Sequence, residues 1–398
     1  MKILMLSWEY PPHNVGGLGK HVFELVPALS RAGVEVQLLT PRWAGGVGEE
    51  VVADATMVHR VEPPVVDMPD FFTGAWRTNV AIEEQGKRLL DAGGFDLIHA
   101  HDWLVAFAGV ALKHAFKVPL LATVHATEFG RSRGIPSGEM PRAIHNVEWW
   151  LTYEAWRVIV CSHFMAAEVG MAFHTPVDKV DVVPNGVDTA RFDALDGVDL
   201  SEFRRRYALD SEKIVFYVGR VVHEKGVHLL VEAMPAILAA RPDAKLVVAG
   251  TGGSLGTARA RAAELALGDK VLFTGFIPDE DRDQLFRVAD VACFPSLYEP
   301  FGIVALEAMA ARVPVVAANV GGLADVVENH ETGLTIYPDS VDSLAWGVVQ
   351  TLDHPDWAAA RVENAYRMVR QRYNWGAIAE STLDVYRRVG AERKATTW

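Results

Sequence analysis

The 398 residues exceed what one hydrophobic core covers, roughly 250–300 residues, so two domains are expected. Half of the chain is apolar and 22% is charged, a globular balance that leaves little room for extended disorder. The net charge of −13 excludes a protein that tracks nucleic-acid phosphates, so any anionic ligand must be met by a few local cations.

Residues 2–7 form an apolar run long enough for a buried strand. Pro11, Pro12, Gly16, Gly17 and Gly19 then interrupt regularity, and Val22, Leu25, Val26 and Leu29 recur at helical spacing over 21–31. A β-branched run at 34–40 closes a βαβ unit. Runs at 95–100, 120–125, 158–161 and 180–184 repeat the theme, each ending in polar or ionisable residues. Residues 186–211 are polar and lose the strand rhythm, which places a linker there, with Arg204–Arg206 as a solvated helix face. A second series begins at 214: strand 214–219, helix 227–240, strands 245–250 and 271–276, helix 282–289 and strand 291–295. Helix 302–311, strand 313–317, short helix 323–327, strand 333–336 and helix 340–352 complete it. The expected fold class is α/β, two doubly wound Rossmann-like domains over 1–190 and 191–375. Each sheet would present ligands at the carboxyl ends of its strands, and two such domains face to face would place the ligand in a central cleft.

Cys161 and Cys293 are too few for a disulfide framework and lie in apolar runs, as small buried hydrophobes do. No apolar run reaches the ~18 residues of a membrane span, and the apolar stretch before Glu9 is too short for a signal peptide, so a cytoplasmic protein is expected.

Four constellations carry chemistry. Glu299 precedes a helix opening at Gly302, and Glu307 falls on that helix's apolar face beside Ile303 and Val304. A buried carboxylate needs a partner, either ligand hydroxyls or a neighbouring basic residue, and Glu299 either meets ligand or caps the helix. The amides of Gly302, Ile303 and Val304 form an anion site at the helix start. Gly219-Arg220 and Lys225-Gly226 lie between a strand end and the next helix, where an Arg fork and a Lys point charge could neutralise a diphosphate without a metal. Gly16, Gly17 and Gly19 allow backbone amides near a phosphate or sugar, but neither they nor Gly250–Gly256 keep the G-x-G-x-x-G spacing of a dinucleotide site. His99, His101 and Asp102 end one strand and His125 another. His99 and His101 share a strand face, yet with Asp102 they fall short of a metal ligand set, and no metal is expected. Asp279-Glu280-Asp281 reads as a helix cap rather than a D-x-D metal motif.

Together these residues resemble the retaining family 4 glycosyltransferases of GT-B fold, which include the glycogen synthases. The matching segments are WEYPPHNVGGLG at 8–19, HAHDW at 99–103, TVH at 123–125, PNGVD at 184–188, GRVVHEKG at 219–226, the glutamates 299 and 307, and VGGLADVV at 320–327. The resemblance implies that Arg220 and Lys225 bind the donor diphosphate, Glu299 faces the transferred sugar and Glu307 holds the ribose. It places Gly219, Phe301 and the Gly302–Val304 amides in the donor site, Phe276 near the base, His125 at the sugar's 6-hydroxyl, and Gly16 and Gly17 over the donor. It implies a tail helix, 376–398, returning to the N-terminal domain. Trp8–Pro12 and His101–Trp103 are most similar to short glucan synthases, making Glu9, Tyr10 and Asp102 acceptor-side residues. Asn14 and Val15 stand where many bacterial glycogen synthases carry Lys-Thr. The implied partners are a nucleotide diphosphate sugar, as substrate rather than cofactor, and a carbohydrate acceptor, with no nucleic acid and no stable membrane insertion.

Trp149, Trp150 and Tyr153 either stack on acceptor or pack into the N-terminal core, and core packing is the expectation. Lys113, His114 and Lys117 are a thin version of a basic membrane-docking helix. Three other readings compete with transfer: a nucleotide-sugar epimerase, a sugar-nucleotide sensor, and a dehydrogenase that the glycine spacing disfavours.

Overall fold

The computed structural model describes residues 1–13, 16–54, 56–64 and 67–398, so the Asn14-Val15 departure lies outside the described residues. The chain divides into two compact units. Unit 1 comprises Met1–Gly186 with Trp375–Trp398, and unit 2 comprises Val187–Asn374.

Unit 1 is built on eight strands: β1 (Lys2–Leu6), β2 (Glu35–Pro41), β3 (Glu49–Ala53), β4 (Thr56–Val61), β5 (Leu97–His101), β6 (Leu120–Val124), β7 (Arg157–Val160) and β8 (Val180–Val182). Their order is β3-β4-β2-β1-β5-β6-β7-β8, parallel throughout except for β3, which runs antiparallel to β4 at one edge. Unit 2 carries β9 (Lys213–Val218), β10 (Ala244–Ala249), β11 (Val271–Gly275), β12 (Val291–Phe294), β13 (Val315–Ala318) and β14 (Leu334–Ile336). These are wholly parallel in the order β11-β10-β9-β12-β13-β14. Helices cover both faces of a parallel sheet, which is why β6 and β12 read as unbroken apolar runs and are buried throughout.

The order reverses between β1 and β5 in unit 1 and between β9 and β12 in unit 2. At such a switch point neighbouring loops leave the sheet in opposite directions and open a crevice at the strands' carboxyl ends. The loops after β1, β5, β9 and β12 are therefore the places to look for chemistry.

Several expectations are corrected. Residues 186–211 are not a free linker: Ala190–Asp193 and Ser201–Arg205 are helical, and Phe192 is buried against Phe286. Polar residues dominate there by count, but Phe192 and Phe203 anchor the segment. The acidic triplet Asp279–Asp281 does not cap a helix; it forms the first turn of the Asp279–Val288 helix, where carboxylates face the positive end of the dipole. Trp149 and Tyr153 are exposed and stack on each other at 5.5 Å, because the Glu139–Glu154 helix buries Ile144, Val147, Glu148, Leu151 and Thr152 instead. Lys113 is buried onto Glu154 at 2.7 Å and exposed His114 pairs with the same carboxylate at 2.8 Å, so both are neutralised locally rather than forming a free basic face. Both cysteines are buried and neither forms a disulfide.

The closing helix, Trp375–Ala395, belongs to unit 1. It packs on the Gly17–Arg31 helix through Ile378, Leu383, Tyr386 and Val389, and Arg157 ties it to β8 by bonding both Glu392 and Asp181. Among the described residues no helix is long and apolar enough to cross a membrane.

Candidate active site

In unit 2 the loops after β9 and β12 are stitched together by their backbones. The Leu297 and Tyr298 amides donate to the Glu224 carbonyl at 2.8 and 3.3 Å. Gly226, at φ +71°, lets the strand-to-helix turn pass against the next loop, since a Cβ there would sit 1.9 Å from the Pro295 carbonyl oxygen. The join brings Lys225 Nζ to 2.7 Å from Glu299 Oε2, to which Ser296 Oγ also donates at 3.2 Å. Glu299 is buried, and the Gly322 amide fixes its carbonyl at 2.8 Å. Arg220 is held differently. Buried Tyr217 donates to its carbonyl at 2.9 Å, while its guanidinium is half exposed, 3.6 Å from Glu224. Gly219 makes the turn between β9 and this arginine.

The helix after this loop runs from Ile303 to Ala310. Gly302 at its start has φ +101°, and a Cβ there would meet Leu323 Cδ2 at 2.6 Å, so only glycine delivers the chain into the first turn. The amides of Gly302, Ile303 and Val304 are those an α-helix leaves without intrahelical acceptors. Glu307 is buried in the same helix and accepts from Arg191 Nη2 at 2.6 Å, with Arg282 Nη2 at 3.7 Å. Its basic partner is thus Arg191, which the sequence reading left inside a linker. Phe301 is buried against Tyr373, whereas Phe276 follows β11 at 79% exposure, open to a planar ligand.

In unit 1 the loop after β1 folds back on itself: the Gly16 amide donates to Glu9 Oε2 at 3.0 Å, and Ser7 Oγ to the Glu9 carbonyl at 2.7 Å. The following helix starts at Gly17, four residues before the expected His21, so Gly17 lies in its first turn. Tyr10 is a core residue, 4% exposed beside Phe23 and Arg60, and burial pushes its phenol up to about 12. Asp102 follows β5 and accepts the His125 amide at 2.7 Å; desolvation pushes its carboxyl up to about 7. The loop carrying His125 is further held by Glu148, which accepts the Glu128 amide on both oxygens at 3.0 Å, and by Glu168, which accepts Thr127 Oγ1 at 2.5 Å.

Around His125 stands a group of imidazoles. His101 Nδ1 lies 3.0 Å from His125 Nε2, His21 Nδ1 donates to Asn185 Oδ1 at 2.6 Å, and His99 meets Thr123 and Tyr386 hydroxyls at 2.7 and 2.9 Å. Burial lowers all four, His21 to about 4 and His99 to about 3, so they are neutral at physiological pH. His21, His101 and His125 place ligand atoms within 4.8 Å of one another, the one group among the described residues that could hold a metal. Sequence reading considered His99, His101 and Asp102 and missed His21, which sits on the apolar face of the first helix. The available signal was the short distance from the Gly16-Gly17 turn to His21.

Comparison with known proteins fits this geometry. Residues 15–191 match the family model for Glycosyltransferase Family 4, and residues 200–368 that for Glycosyl transferases group 1. The chain is 41% identical over 393 residues to an uncharacterized glycosyltransferase of Methanocaldococcus jannaschii, covering 97% of this chain and 98% of that protein. It is 36% identical over 400 residues to a glycogen synthase of Mycobacterium tuberculosis, covering 97% and 94%. Among solved structures, sucrose-phosphate synthase from Thermosynechococcus elongatus superposes with a TM-score of 0.84 at 28% identity, over 98% of this chain and 99% of that one.

Proposed function

The chain belongs to the family 4 glycosyltransferases, with the GT-B fold, and on that premise we propose that it is a retaining, metal-independent hexosyltransferase. It moves glucose from a nucleotide diphosphate sugar to a glucan or small sugar, in the cytoplasm. The observation that carries this reading is the Lys225–Glu299 pair at 2.7 Å, with Arg220 on the same edge of the same sheet.

Transfer breaks the bond from the sugar's C1 to the diphosphate oxygen, so negative charge develops on the leaving group. Arg220 supplies a two-pronged donor to it, Lys225 a mobile ammonium, and the Gly302–Val304 amides fixed dipoles. A site built this way neutralises the diphosphate with protein charge alone. Glu299, held by Lys225 and Ser296, faces the positive charge that builds on the sugar ring. Glu307 takes the ribose hydroxyls while Arg191 holds it in place, Gly219 and Phe301 shape the donor site, and Phe276 offers its ring to the base. In unit 1, His125 serves the transferred sugar's 6-hydroxyl, Gly16 and Gly17 the donor, and Glu9, Asp102 and the neighbourhood of buried Tyr10 the acceptor. The acceptor oxygen attacks C1 on the face the leaving group vacates, and its proton passes to the departing phosphate oxygen. That route retains configuration and needs no base opposite.

Incubation with ADP-, UDP- or GDP-glucose and maltooligosaccharides is expected to release the nucleoside diphosphate and form an α-linked product, unchanged by EDTA. No release with any donor and acceptor overturns the reading, and loss of activity in EDTA overturns metal independence. The likeness to sucrose-phosphate synthase favours a second acceptor class, a sugar phosphate. A parallel assay with hexose phosphates separates the two, and a product formed from donor alone would mean epimerisation instead.

A further inference from the structure

We propose that His101 is a positioning residue that holds His125 in its Nδ1–H tautomer, so that the His125 ring presents a hydrogen-bond donor to the transferred sugar. The inference rests on the sugar-facing role of His125 proposed above, and it goes further by assigning the proton and the residue that fixes it.

The argument is one of partner counting. His101 is fully buried, its Nδ1 lies 3.0 Å from His125 Nε2, within hydrogen-bond distance, and the two rings are nearly parallel at 19° with centroids 5.3 Å apart. His101 Nε2 is buried and meets no hydrogen-bonding partner among the described residues. A neutral imidazole carries one proton on one nitrogen, so the pair has two arrangements. If His125 Nε2 donates, the His101 proton is forced onto Nε2 and becomes an orphaned buried N–H. If His101 Nδ1 donates, only a bare lone pair is left at Nε2. Buried donors without partners are rarer and costlier than under-used acceptors, so the second arrangement wins. His125 Nε2 is then the acceptor, and its own proton must sit on Nδ1.

The surroundings reinforce the choice. His21 is fixed as an Nδ1 donor because Asn185 Oδ1 can only accept, and His99 has hydroxyl partners on both nitrogens, so neither competes for the shared proton. Asp102 holds the His125 backbone rather than its ring, and the His21 ring packs edge-on against His125 at 4.8 Å, so among the described residues His101 is the ring's hydrogen-bonding contact. A neutral ring locked as an Nδ1 donor offers a hydroxyl oxygen a hydrogen bond with little reorganisation.

Selective ¹⁵N-histidine labelling reads the tautomer directly, with the His125 signals assigned by their loss in His125→Gln. The expected spectrum shows His125 as the Nδ1–H form, opposite to the Nε2–H form that dominates for the neutral side chain of free histidine in water. In His101→Leu, which removes the donor, His125 is expected to leave that form. His101→Asn, which keeps an amide N–H near the place of Nδ1, is expected to restore it. With a turned-over donor such as ADP- or UDP-glucose, His101→Leu should lower kcat/KM about tenfold, the scale of one neutral hydrogen bond, and His101→Asn should recover most of it. With the corresponding 6-deoxyglucose donor the same variants should differ less than about twofold. An Nε2–H signal for His125 in the unaltered protein overturns the proposal even if His101→Leu fails to fold, and so does an unchanged His125 spectrum in His101→Leu. If the tautomer is as expected but the 6-deoxy donor responds to the variants like its parent, the proton assignment stands and the sugar-facing reading of His125 falls.

Discussion

The two units solve the same topological problem with opposite electrostatics. Each gathers its polar side chains where the strand order reverses, β9 beside β12 in unit 2 and β1 beside β5 in unit 1. In unit 2 those side chains are charged and paired, Lys225 with Glu299 and Arg191 with Glu307. In unit 1 they are neutral imidazoles and carboxyls whose burial resists ionisation. Unit 2 is thus equipped for a ligand that carries charge, and unit 1 for one that carries hydroxyls. On the proposed function, a protein of net charge −13 would hold a diphosphate through a few local cations rather than through its overall field.

The contrast breaks most severely at Lys225. Lys225→Ala removes the cation proposed to oppose leaving-group charge and leaves Glu299 Oε2 with Ser296 but without its 2.7 Å ammonium, so kcat should fall about 10²–10³-fold. The pair keeps some solvent contact, with side chains 18% and 11% exposed, so the melting temperature should move little by comparison. Steady-state kinetics and a thermal melt on the same sample check this; a collapsed melt with intact kcat would make Lys225 structural. Arg191→Ala tests the other pair. Glu307 would lose its 2.6 Å partner while Arg282 stays at 3.7 Å, and the expected result is an approximately tenfold higher KM for the donor with kcat nearly unchanged. An unchanged KM would mean Glu307 serves the core and not the nucleotide.

The neutral side of the comparison is tested by pH. Asp102 is pushed up to about 7 and Glu148 to about 8, so the folded protein holds protons there that the unfolded chain releases near pH 4. Stability must therefore fall as pH rises from about 4 through 7 and 8. The buried histidines act in the other direction. With folded values near 4 for His21 and 3 for His99 against about 6.5 unfolded, they add stability as pH rises to 6.5 and nothing beyond. The two trends oppose each other below pH 6.5, and only the carboxyls act above it. Denaturant melts should show a loss of about 1–2 kcal/mol between pH 6.5 and 8, flattened in the Asp102→Asn, Glu148→Gln double variant. A flat profile in the unaltered chain would show that these carboxyls ionise normally.

Much of the fold was legible because parallel strands buried on both faces must be apolar runs. The helix Val227–Ala240 was read to the residue, and most strands to within two. Edge strand β3 was missed because it is largely exposed and carries no such run, and its neighbour β4 because buried His59 and Arg60 interrupt its apolar pattern. The Phe71–Asp91 helix was missed because its buried positions include Thr78, Asn79 and Gly86, which do not register as apolar. Within the candidate site, residues in local motifs were visible: Arg220, Lys225 and the two glutamates stand next to glycines and strand ends. Arg191 and His21 were not, because each reaches its partners, Glu307 and Asn185, across more than a hundred residues of sequence. Periodicity records which face a side chain occupies but not which distant element comes to meet it.

The smallest expected effect falls on Phe276. Its ring is 79% exposed beyond the end of β11 and contributes little to the core, so Phe276→Ala should change stability by less than about 0.5 kcal/mol. If the ring stacks on the donor base, its loss should raise the donor KM by a few-fold, at the weak end of what an aromatic face gives a base, and leave kcat alone. Stacking tolerates any base because each has a π-face, so the variant should weaken ADP-, UDP- and GDP-glucose in similar proportion. A loss confined to one donor would instead make Phe276 the reader of base identity, and an unchanged KM would separate this residue from the donor site. Either result sharpens the contrast between the units, since it decides whether unit 2 holds its ligand by charge alone or by charge and an exposed aromatic face together.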